Sequence, residues 1–81
     1  MAVIPFSIPE NNGVSRVKIE VFDFLGKKVA TLIDEDLAPD FYTTQWIASD
    51  GDYSGGLYTY KMVVAGAAGI EAQSGKIILN K

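Results

Sequence analysis

Apolar and polar residues alternate along several short stretches of this chain, with the two-residue period of a β-strand that buries one face. The clearest stretch covers residues 14–23, where apolar positions alternate with charged ones. The apolar residues there are Val17, Ile19 and Val21, and the charged ones are Arg16, Lys18 and Glu20. This pattern predicts a strand with one face on the core and the other in water.

The same period predicts further strands over residues 4–8, 29–33, 41–47, 57–65 and 70–79. Pro5 and Pro9 cannot donate backbone hydrogen bonds, so the first of these strands is expected at a sheet edge. The total is six strands, or seven if one of the longer stretches divides. In the last strand, Ile77 and Leu79 share a face.

Four residues are predicted to have structural roles. Trp46 shares a strand face with Tyr42, and both are expected to point inward. Tyr58 and Tyr60 share the inward face of the next strand, together with Met62 and Val64. Gly26 is predicted to supply a positive φ in the hairpin turn at residues 22–28.

Turn-forming residues separate the predicted strands. Residues 10–13, Glu-Asn-Asn-Gly, indicate a turn because Asn and Gly tolerate positive φ. Asp34, Glu35 and Asp36 interrupt the apolar pattern and are expected to end the strand before them. The remaining connections are predicted at residues 37–40, 48–56 and 66–69.

The fold class follows from this succession of strands. No amphipathic helix of ten or more residues is predicted, and 81 residues suffice for a single domain. The content of 48% hydrophobic and 21% charged residues is that of a folded domain rather than a disordered tail. We therefore predict an all-β fold, an antiparallel sandwich that occupies residues 1–81 as one domain.

Composition also excludes several function classes. The chain has no His and no Cys, so catalytic triads, thiolate nucleophiles and imidazole or thiolate metal sites are absent from the sequence. We expect no enzyme activity and no cofactor. The net charge of −3, with scattered Lys and Arg, argues against a nucleic-acid partner. No apolar run approaches the ~20 residues that a membrane span needs, and no N-terminal export signal is evident.

Two sets of residues have both a ligand-binding and a structural interpretation. Asp50 and Asp52 flank Gly51 and offer the oxygen ligands that calcium prefers, but the full calcium-loop pattern is missing, so a solvated turn is the favoured interpretation. The aromatic residues Trp46, Tyr42, Tyr53 and Tyr58 could form a sugar-binding platform. Because Trp46 and Tyr58 lie on apolar strand faces, we expect core packing instead.

Several strings of the sequence resemble one family. They are Phe6 to Glu10 (FSIPE), Val17 to Thr31 (VKIEVFDFLGKKVAT), Phe41-Tyr42 with Trp46, Ser54 to Met62 (SGGLYTYKM) and Lys76 to Lys81 (KIILNK). In this order they resemble the Ig-like C-terminal sorting domain, type A, of bacterial proteins exported by the type IX (Por) secretion system. They are similar also to the Ig-like module of the flagellar hook-capping protein.

The resemblance implies a function as a C-terminal address. It implies an Ig-like sandwich at the end of a longer exported protein, whose partners are the secretion machinery and the preceding cargo domain. The cargo would pass through the periplasm to the cell surface or the medium. Because the signal lies at the end of the chain, we expect docking through the final strand, at Gly75, Lys76, Ile78, Asn80 and Lys81.

Two alternatives of other classes remain open at this point. One is a structural Ig-like spacer or assembly module that packs beside a neighbouring domain. The other is a carbohydrate-binding module, in which Trp46 would respond to glycans.

Overall fold

A computed structural model describes residues 2–46 and 56–79 of the chain. These residues form six β-strands and one short 3-10 helix. In chain order the elements are β1 (Ala2–Ile8), the 3-10 helix (Glu10–Asn12), β2 (Ser15–Phe22), β3 (Lys28–Leu37), β4 (Asp40–Trp46), β5 (Gly56–Gly66) and β6 (Gly69–Leu79).

The strands form two antiparallel sheets. The smaller sheet pairs β1 with β4, and the larger has the order β3-β2-β5-β6. The chain passes from one sheet to the other after β1, β3 and β4, while β2–β3 and β5–β6 are hairpins within the larger sheet. The predicted all-β antiparallel sandwich is confirmed, and β1 lies at a sheet edge as its prolines indicated.

The core lies between the two sheets and consists of the alternating residues that the sequence pattern selects. The fully buried centre is Val17, Ile19 and Val21 of β2. Around it pack the side chains of the other strands: Ile4, Phe6, Ile8, Trp46, Tyr58, Met62, Val64 and Ile77. Burying an aliphatic side chain of this size contributes about 1.5–3 kcal/mol, so these alternating positions are the main source of stability.

Strand β3 does not end where the sequence predicted. It continues through Asp34, Glu35 and Asp36 to Leu37. The three acidic side chains are tolerated because β3 is the outermost strand of its sheet and because Asp34 and Asp36 pair in register with Lys18 and Arg16 of β2. Arg16 Nη2 donates to Asp34 Oδ1 at 2.7 Å, and this hydrogen bond raises the pKa of the guanidinium above its ordinary value.

Strand β3 also departs from simple alternation. Its register against β2 shifts twice, which leaves Val29 and Leu32 as extra residues opposite β2. Each shift turns two consecutive side chains toward the core. The partly buried pairs are Val29 with Ala30 and Leu32 with Ile33.

The β2–β3 turn confirms the role predicted for Gly26. Its φ is +84°, a left-handed conformation that side chains with a Cβ disfavour. The Asp23 carboxylate stabilises the same turn, because its Oδ1 accepts hydrogen bonds from the backbone N–H groups of Leu25 and Lys27, both at 2.9 Å.

The β1–β2 connection is a turn at residues 10–13, as predicted, and Gly13 has a positive φ of +63°. It is a 3-10 helix in which Asn12 is buried, and no residue other than glycine has a positive φ in the described part of the chain. Asn12 does not have a positive φ, and its side chain forms two hydrogen bonds. Its Nδ2 donates to Ser15 Oγ at 3.0 Å, and its Oδ1 accepts from the backbone N–H of Ala68 at 2.9 Å.

Candidate docking surface

The final strand, β6, has an unpaired edge. It is hydrogen-bonded to β5 on one side only and forms the end of the larger sheet. In an antiparallel strand, alternate residues direct N–H and C=O groups away from the paired neighbour. These groups along β6 are therefore a possible template for a strand of another protein.

The described strand edges differ in how they deter such pairing. Proteins protect exposed edges with charges and prolines. Strand β3 carries Asp34, Glu35 and Asp36, and β1 carries Pro5. By contrast, residues 72–75 of β6, Ala-Gln-Ser-Gly, contain neither a charge nor a proline. Residues 41–46 of β4, the other strand of the smaller sheet, also lack charge and proline, so the unprotected edges among the described strands are those of β4 and of the centre of β6.

Gly75 lies within this stretch, opposite Tyr60 of β5. The Tyr60 ring covers the glycine so closely that a Cβ on residue 75 would lie 2.6 Å from its Cζ atom. Tyr60 is half-buried and packs against the core, as its predicted inward position requires. Gly75 therefore makes room for Tyr60 on the inner face of the sheet.

Lys76 and Ile78 lie toward the end of β6. Lys76 is exposed and pairs in register with Thr59, and Ile78 pairs with Leu57. Ile78 is 73% exposed and Leu57 is 45% exposed, so the two form an apolar pair on the outer face. The other two predicted docking residues, Asn80 and Lys81, lie outside the described residues.

Three of the four aromatic residues that could form a sugar-binding platform, Trp46, Tyr58 and Tyr42, pack in or against the core instead. Trp46 is 4% exposed, and its ring meets that of Tyr58 edge-on at a centroid distance of 4.9 Å. Tyr42 stacks on Phe6 at 5.4 Å and donates its hydroxyl hydrogen to the Ala38 carbonyl. Sugar rings stack on flat, exposed aromatic faces, which Trp46 and Tyr58 do not present. Tyr53 lies outside the described residues.

The calcium candidates Asp50 and Asp52 also lie outside the described residues. Within residues 2–46 and 56–79, no group of three or more acidic side chains is arranged to hold a metal ion. In the same part of the chain, no helix is long and apolar enough to cross a membrane.

A groove on the outer face of the larger sheet was not predicted from the sequence. Its volume is about 550 Å³, and we call it the outer groove. It is bordered by the aromatic side chains of the β2–β3 hairpin and by residues of β5 and β6: Phe22, Phe24, Leu57, Lys61, Ala72 and Ser74. The signal available in the sequence was the pair of small residues Ala72 and Ser74 on one face of β6, which leaves space beside the larger side chains.

Comparison of the chain with protein-family models, with curated proteins and with solved structures found no significant match.

Proposed function

We propose that this chain is a non-catalytic C-terminal sorting domain that directs an attached cargo protein through the type IX secretion system of bacteria. The observation that carries the proposal is the position of β6. It lies at the edge of the larger sheet, it contains the string KIIL, and the centre of that edge lacks protective charges. A strand of the export machinery could add to this edge by backbone hydrogen bonds without disturbing the core.

The placement of the resembling strings supports this proposal. The string VFDFLGKKV, Val21 to Val29, forms the β2–β3 hairpin around Gly26, and GLYTYK, Gly56 to Lys61, begins β5 with Tyr58 in the core. KIIL, Lys76 to Leu79, ends β6. Each string therefore has a structural reason for its pattern, and the last of them lies on the surface that we propose for docking.

Two isoleucines of β6 allow a matched test. Ile78 and Ile70 lie at opposite ends of the strand, on the same outer face, and are 73% and 75% exposed. Replacing either by serine removes exposed apolar surface and leaves the core intact. Only Ile78 belongs to the string KIIL, Lys76 to Leu79, which is part of the resemblance to sorting domains.

The experiment fuses the 81-residue chain to the C-terminus of a reporter enzyme with a signal peptide, in a bacterium that has a type IX system. We expect the reporter at the cell surface or in the medium with the original chain and with Ile70→Ser. A strand added to the β6 edge would contact the side chain of Ile78 as a cross-strand neighbour, so we expect reduced export with Ile78→Ser. Periplasmic retention with the original chain would reject sorting and favour a structural spacer, and equal export of both variants would reject docking at Ile78.

A further inference from the structure

The outer groove is lined by large apolar side chains on one side and by small side chains on the other. Phe24, at the tip of the β2–β3 hairpin, is 78% exposed although it is aromatic. Together with Phe22 and Leu57 it borders the groove, while Ala72 and Ser74 of β6 leave the space between them open. Contiguous exposed apolar surface of this kind is typical of a binding site. The groove volume lies in the range of ligand sites, and its open side admits a chain that continues beyond it.

The positive charge at the groove comes from Lys61. Its side chain is exposed, and no ion pair involves it in the described part of the chain. The acidic residue next to it in register is Glu20 of β2, whose carboxylate is already engaged by Lys28 at 3.3 Å and Lys18 at 3.9 Å. Lys61 is therefore available to an anionic group of a ligand.

Among the described residues, the carboxylate that borders the groove is that of Asp23. Its Oδ1 accepts hydrogen bonds from the N–H groups of Leu25 and Lys27, which hold the carboxylate in the turn. Opposite Lys61 on β6 lies Ser74, whose small side chain leaves the ammonium group accessible from the side of β6. The groove is thus apolar at the hairpin and cationic at Lys61.

We propose that the outer groove binds an extended peptide segment that carries an aromatic or large aliphatic side chain within two residues of a carboxylate. The apolar side chain would pack between Phe22, Phe24 and Leu57, and the carboxylate would pair with Lys61. Residues i and i+2 of an extended peptide point to the same side and lie about 7 Å apart, which is also the spacing of Thr59 and Lys61 along β5. This binding activity goes beyond sorting, because it uses the face of the sheet rather than the edge of β6.

The test is an NMR titration of the isotope-labelled 81-residue chain with synthetic hexapeptides. The first peptide contains Phe-Ser-Glu within Gly and Ser residues. Its controls replace Glu by Gln, Glu by Lys, or Phe by Ala. We expect the first peptide to shift the amide signals around Lys61, Ala72 and Ser74. Because a partly exposed ion pair is worth up to about 1 kcal/mol, the Gln peptide should bind about two- to five-fold more weakly.

A matched pair of variants tests whether Lys61 is the partner of the peptide carboxylate. Lys61→Met and Lys76→Met each remove one exposed positive charge from the outer face, but only Lys61 borders the groove. We expect Lys61→Met to abolish the preference for Glu over Gln and Lys76→Met to retain it. Absence of amide shifts with all four peptides at millimolar concentration would overturn the proposal, and so would equal binding of the Phe and Ala peptides.

A lipid surface would also present apolar and anionic groups. A vesicle-binding experiment distinguishes a peptide ligand from a lipid surface. The chain is sedimented with vesicles of phosphatidylglycerol and of phosphatidylcholine. We expect it to remain in the supernatant with both. Sedimentation with the anionic vesicles that is reduced equally by Lys61→Met and Lys76→Met would indicate a membrane-binding face and overturn the peptide proposal.

Discussion

The side chain of Asn12 is hydrogen-bonded to the backbone of Ala68, 56 residues further along the chain. The Ala68 N–H donates to Asn12 Oδ1 at 2.9 Å, and the Ala67 N–H donates to the Asn12 carbonyl at the same distance. These bonds attach the tip of the β5–β6 hairpin to the β1–β2 connection. They therefore hold the end of the longest hairpin against the rest of the sandwich.

The first prediction concerns this attachment. Asn12→Ala removes the acceptor for the Ala68 N–H in a buried position, and we expect a loss of about 1–3 kcal/mol in the free energy of unfolding. Urea denaturation measures the loss. Asn11→Ala, at the exposed neighbouring position, is the control and should change stability by less than about 0.5 kcal/mol. Equal effects of the two substitutions would contradict a specific role for Asn12.

The second prediction concerns the contact between Gly75 and Tyr60. Alanine is ordinarily better than glycine in a strand by about 0.5–1 kcal/mol. Because a Cβ at position 75 would displace the Tyr60 ring, we expect Gly75→Ala to destabilise the protein by about 1–2 kcal/mol instead.

A double-mutant cycle tests this cause. In a Tyr60→Ala background the ring is gone, so Gly75→Ala should become neutral or stabilising. If Gly75→Ala costs the same free energy of unfolding with and without the Tyr60 ring, the close approach is not the reason for glycine at this position.

The third prediction uses Trp46, the single tryptophan of the chain. Because it is buried against Tyr58, its fluorescence should be shifted to shorter wavelength in the folded protein and should resist quenching by acrylamide. A panel of soluble glycans should leave its emission unchanged. Saturable quenching by one glycan would instead support a carbohydrate-binding module.

Local alternation was sufficient to predict most of the fold. Ile4, Phe6 and Ile8 in β1, and the apolar residues of β2, are buried where the two-residue period indicated. The same logic placed Trp46, Tyr58 and Tyr60 correctly, because each lies in a strand that is covered on one face. Gly26 was predictable from the turn chemistry of its hairpin.

The features that the sequence pattern did not predict have one physical cause in common. Each depends on contacts with residues that are distant in sequence. Residues 34–36 continue a strand because Lys18 and Arg16 of β2 lie beside the acidic side chains. The burial of Asn12 depends on the hairpin tip at Ala68, and the outer groove depends on three strands meeting. None of these partners is visible in a local sequence pattern.

The most direct test of the sorting function is the location of a reporter fused to the 81-residue chain, compared between a type IX host and an isogenic strain without the outer-membrane translocation channel of that system. Protease treatment of intact cells reports whether the reporter is outside. The proposed function predicts that the reporter is exposed or released in the first strain and retained in the periplasm of the second. The same location in both strains would contradict it.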